Sequence, residues 1–153
     1  MKKYRSALVV LGCPQVPIQT SAALYLLHGL NAQEITTLVA GTKSALALLE
    51  VGDPERHYLA ESMDLDHCIG LVADHALGFD LCFVFVHNDA GVSYTATLAA
   101  LLDAEVYAIF FGEKAQSLAD QAAGIRCRSV IAPGSHNPLI AKRKLDGVLQ
   151  WDA

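Results

Sequence analysis

Long apolar runs are missing from this chain of 153 residues. Nothing in it approaches the roughly 20 apolar residues that span a bilayer. The basic opening Met1-Lys2-Lys3-Tyr4-Arg5 precedes an apolar run only from 7 to 11, soon followed by Pro14. That is too short for the core of a signal peptide, so a cytoplasmic location is expected. The four cysteines, Cys13, Cys68, Cys82 and Cys127, contain no CxxC pair. In a reducing compartment they read as free thiols. Charge is scarce as well, at 18% of residues, and its balance is −5. An acidic chain with so little basic surface is excluded from non-specific binding to nucleic acid or anionic membrane. Lys142, Arg143 and Lys144 form only a short cluster, read as the solvated face of the last helix.

The usual phosphate-binding turns are absent too. A dinucleotide site needs a GxGxxG turn after its first strand, where backbone N–H groups approach the pyrophosphate. Here that turn holds Pro14 and Pro17, which have no N–H to donate. That turn argues against a typical NAD or FAD site, and the residues name no other cofactor. Gly41-Thr42-Lys43-Ser44 lacks the upstream glycine and spacing of a phosphate loop. It reads as a loop entering a helix capped by Thr42.

What is abundant is apolar sequence, 53% of residues, the excess that a sheet covered on both faces produces. Five short apolar runs, at 7–11, 35–40, 81–86, 106–111 and 128–132, read as strands. The run Leu81-Cys82-Phe83-Val84-Phe85-Val86 has no charged or amide side chain and reads as a central parallel strand. Helical spacing fills the intervals at 20–30, 44–51, 66–77, 91–102, 113–123 and 138–150. Asn137 and Pro138 stand as cap and first residue of the last helix. Asp53-Pro54 has the same form, inside an otherwise irregular stretch from 52 to 66. The pattern predicts one domain over 1–153, a three-layer α/β/α sandwich. Its doubly wound sheet is mainly parallel and five-stranded, with a flavodoxin-like order 2-1-3-4-5 preferred and the Rossmann order 3-2-1-4-5 second.

In such sheets ligands bind beyond the carboxyl ends of the strands. The turns there carry the candidate ligand contacts Gly12, Cys13 and Pro14, then His87, Asn88, Asp89 and Gly91, then Gly134, Ser135 and His136. Cys13 is a candidate nucleophile, and His87 a candidate acid–base catalyst, its imidazole titrating near neutrality. The structural alternatives are a buried Cys13 acting as a small hydrophobe and a helix cap at Asn88 or Asp89. Cys13, His87, Asp89 and His136 have the donor types for zinc, but no short-spaced ligand pair supports a metal, and none is assigned. Cys82 reads as core; Cys68 and Cys127 read as structural.

The stretch Leu11-Gly12-Cys13-Pro14-Gln15-Val16-Pro17-Ile18-Gln19-Thr20 resembles a small, uncharacterised archaeal family known mainly from methanogens. The resemblance continues through Leu48-Leu49-Glu50-Val51-Gly52-Asp53-Pro54-Glu55-Arg56-His57-Tyr58-Leu59. It resumes at Phe83-Val84-Phe85-Val86-His87-Asn88-Asp89-Ala90-Gly91-Val92-Ser93-Tyr94 and at His136-Asn137-Pro138. It implies a compact α/β/α fold and an archaeal cytoplasm, and it transfers no activity or catalytic residue. Three readings of function follow. The first is a protein that binds a small molecule or cofactor at the strand ends. The second is a thiol enzyme or sulfur relay using Cys13, with His87 or His136 as base. The third is an interaction subunit or assembly factor, with Tyr25 and Trp151 as contacts and homodimerisation as one way to cover an apolar face.

Overall fold

The computed structural model describes residues 3–150; Trp151 lies outside them. Twelve elements alternate along these residues. In chain order they are β1 (Ser6–Leu11), α1 (Ile18–Ala32), β2 (Thr36–Gly41), α2 (Lys43–Gly52), β3 (Glu61–Asp64) and α3 (Leu65–Ala73). After these come β4 (Leu81–Val86), α4 (Asp89–Leu101), β5 (Glu105–Gly112), α5 (Ala115–Gln121), β6 (Arg128–Pro133) and α6 (Leu139–Val148). The strands form one sheet in the order β3-β2-β1-β4-β5-β6, and every pairing in it is parallel.

The expected count of five strands is corrected to six, and the preferred flavodoxin-like order gives way to the order 3-2-1-4-5-6. The five expected strands do occur as neighbours in the sequence 2-1-3-4-5; the additional strand, β3, extends the sheet beyond β2. Of its residues Glu61-Ser62-Met63-Asp64 only Met63 is apolar, packing against the core, and the two end residues are exposed, as short edge strands tend to be. The stretch before it also differs from expectation. Asp53 closes α2 instead of opening a helix at Pro54. Its buried carboxylate accepts N–H bonds from His57 at 2.8 Å, Tyr58 at 2.9 Å and Leu59 at 2.8 Å. That carboxylate holds the return that delivers β3 to the edge.

Alternation along the inner strands divides the core into two layers. Leu81, Phe83 and Phe85 join residues of α1, α2 and α6 on one face. Cys82, Val84 and Val86 join residues of α3, α4 and α5 on the other. All six residues of β4 are buried, and each large side chain contributes roughly 1.5–3 kcal/mol through its removal from water. The order reverses between β1 and β4: β1 leads into α1 on the first face and β4 into α4 on the second. In doubly wound sheets, ligands bind beyond the carboxyl ends of the strands at such a divergence.

Candidate functional site

His87 is the first residue past β4 and the last of its inward-facing series. It is 91% buried, from a relative exposure of 9%, and both ring nitrogens are enclosed without any hydrogen-bond partner among the described residues. Its ring lies 5.3 Å from that of Phe111, centroid to centroid. Burial alone holds its pKa below the ordinary histidine value, with no charged neighbour contributing. A neutral imidazole at this position offers one N–H donor and one bare nitrogen acceptor.

Gly12 and Gly112 form the walls beside this ring. A methyl group added at Gly12 would lie 3.5 Å from His87 Cε1, and one at Gly112 would lie 3.5 Å from Val16 and 3.8 Å from His87 Cβ. Gly112 has φ of +84° and Gly134 φ of +121°, conformations that favour glycine. The two exchange backbone hydrogen bonds of 2.8 and 3.1 Å, and the Ser135 carbonyl accepts from Ile18 N–H at 3.1 Å. The turns after β1, β5 and β6 are thereby tied together around His87.

The second buried polar group here, Gln19, was not singled out from the sequence. Its side chain is 1% exposed. Nε2 donates to the Gly12 carbonyl at 3.1 Å, which leaves the enclosed Oε1 without a partner. A signal for it existed: position 19 lies on the apolar stripe of α1 with Ala22, Ala23, Leu26 and Leu30, where an amide is out of place.

The other candidates separate into structural and exposed positions. Asn88 caps α4, its Oδ1 accepting from Gly91 N–H at 3.1 Å. Gly91 faces the strand rather than a ligand: a methyl group there would fall 3.0 Å from Val86 Cα. Asp89 and His136 are exposed, while Pro14, Gly134 and Ser135 are half-buried. Asn137 Oδ1 accepts from Leu139 N–H at 3.0 Å at the start of α6. Cys13 is exposed, but no thiol–imidazole hydrogen bond forms, since neither nitrogen of His87 has a partner. Among the described residues no group of three or more histidine, cysteine or acidic side chains could hold a metal ion. Cys13, His87, Asp89 and His136 therefore do not come together as a metal set. Tyr25 is engaged within the fold, its hydroxyl donating to Asp146.

Residues 8–148 match a family described as a domain of unknown function, DUF1890. The chain is 32% identical over 151 residues to the uncharacterised protein MJ0452 of Methanocaldococcus jannaschii, covering 94% of this chain and 97% of that one. The solved structure of MT0777 superimposes with a TM-score of 0.87 at 31% identity, over 97% of this chain and 99% of the other. A more distant likeness, to the hypothetical protein SMU.573 of Streptococcus mutans, has a TM-score of 0.55 at 16% identity. It covers 94% of this chain and 49% of that one, and it concerns the fold alone. The chain belongs to the DUF1890 family, a domain of unknown function with an archaeal relative matched along nearly its whole length.

Proposed function

We propose that this protein binds a small molecule at the carboxyl edge of its sheet, in the crevice between the turns that follow β1 and β4. The observation that carries the reading is His87, buried at that edge with both nitrogens unpartnered. An unsatisfied buried polar group costs about 1–3 kcal/mol, so retaining one at the switch point favours a ligand that completes it. Glycines at 12 and 112 keep space beside the ring. A cleft of about 490 Å³ lies elsewhere, between β6 and α6, and ligand entry at His87 requires the turn at 12–17 to shift.

Native mass spectrometry tests this. Protein incubated with a small-molecule extract of archaeal cells is expected to carry a defined excess mass. That mass disappears on denaturation and is absent in His87→Leu. A bare mass for the wild type under the same conditions overturns the proposal. A thiol reaction retains one supporting observation, the exposure of Cys13. It requires Cys13 to react with iodoacetamide faster than glutathione does near neutral pH, and a slower rate removes it.

A further inference from the structure

We infer that Gln19 and His87 act as a pair, recognising an uncharged carboxamide-type group beside Gly12. The inference rests on the binding reading above and specifies the chemistry that the edge accepts. Gln19 has a determined orientation. The Gly12 carbonyl, 3.1 Å from Nε2, can only accept, so the amide nitrogen must face it and Oε1 must face away. The unfilled atom of Gln19 is thus an acceptor, and it calls for a donor. Neutral His87 adds one N–H and one acceptor nitrogen, both enclosed. A carboxamide answers this pair: its N–H donates to Gln19 Oε1 and its carbonyl accepts from His87. Gly12 is the link between them: its carbonyl accepts from Gln19 Nε2, and a methyl group built on it would lie 3.5 Å from His87 Cε1.

The same residues argue against an anion. Burial is the sole influence on His87, so no lysine or arginine contributes positive charge there. Two backbone donors at the start of α1 are already used: Ile18 N–H by the Ser135 carbonyl and Gln19 N–H by the Val16 carbonyl at 3.2 Å. Pro14 and Pro17 have none to offer. A phosphate or carboxylate would enter without a compensating charge, at the cost that buried unpaired ions incur.

The test follows the His87 imidazole by long-range proton–nitrogen NMR while acetamide, acetate or inorganic phosphate is added to the intact protein. Acetamide is expected to move the His87 signals saturably, and acetate and phosphate to leave them in place. In Gln19→Leu the acetamide affinity should fall by about tenfold or more, the loss that one buried hydrogen bond entails. Gly12→Ala should fold normally, because its methyl group would sit at ordinary contact distance from His87, yet it should also lose acetamide. Movement by acetate or phosphate but not acetamide would overturn the carboxamide assignment while leaving the site as a binding site. Unchanged acetamide binding in both variants would remove the pairing. No response to any probe overturns the inference too, and the native mass then judges the binding proposal separately.

Discussion

At the scale of single residues, His87 carries the clearest consequences. Its pKa is depressed by burial, so the folded protein refuses a proton that the unfolded chain accepts near the ordinary value of about 6.5. Stability is therefore full above that value and declines as pH falls from it toward the lower native pKa. The slope attributable to this one group can reach about 1.4 kcal/mol per pH unit. Thermal melts between neutral and mildly acidic pH should show this decline in the wild type and lose its His87 component in His87→Leu. At neutral pH the same substitution should raise stability by about 1–3 kcal/mol, since it removes an unsatisfied buried polar group. A variant less stable than wild type at neutral pH would contradict this account of the ring. The cysteines offer a second check. Burial pushes the Cys68 thiol up to about 11 and also raises Cys82 and Cys127. Brief iodoacetamide treatment should label Cys13 first in the native protein and all four thiols in denaturant, as read by peptide mass mapping.

At the scale of elements, the edge of the sheet depends on Asp53. Three backbone N–H groups converge on its carboxylate. Those bonds, with Leu59 the largest influence, hold its pKa below the usual carboxylate value. The stabilisation is present above the unfolded pKa of about 3.9 and disappears as pH falls through the lower native value, well separated from the His87 window. Asp53→Asn would turn an amide N–H toward one or more of those donors. It should lower the melting temperature and speed hydrogen exchange in residues 61–64 before the rest of the sheet. Uniform protection across all six strands would show that β3 does not depend on this return. The strands with apolar runs were legible because burial on both faces demands such runs. Glu61-Ser62-Met63-Asp64 was not, because an edge strand held by backbone pairing to Leu38–Gly41 buries only one apolar side chain, Met63, too few to form a run. Asn88 and Thr42 could be read as caps from side-chain chemistry alone; the expected cap Asn137 sits one residue too early, because α6 starts at Leu139 with Pro138 in the cap position. The burial of His87 could not be read, since it depends on segments distant in sequence meeting at one end of the sheet; the bond from Gln19 to Gly12, seven residues away, depends on how the turn at 12–17 folds back.

At the scale of the whole molecule, the two apolar layers share one sheet, and alternate residues of β4 belong to each. They are expected to unfold together. Calorimetry and circular dichroism should report one coincident transition, and two separate transitions would mean that the layers are independent. Phe83→Ala, at a fully buried position in β4, should cost about 3–5 kcal/mol. It should shift the urea midpoint without changing the slope. The three-layer architecture was legible from the alternation of strands and helices. The chemistry at its strand ends needed the structure, because residues 12, 19, 87 and 112 become neighbours only through the sheet.

The bonds linking the turns after β1, β5 and β6 run between main-chain atoms, which makes them indifferent to most side-chain replacements. Apart from the glycines at 112 and 134, with their positive φ, and any position where proline would delete a donor, the rim can vary in composition without varying in shape. Descendants of such a chain are free to change the side chains along this edge while inheriting the frame that holds them.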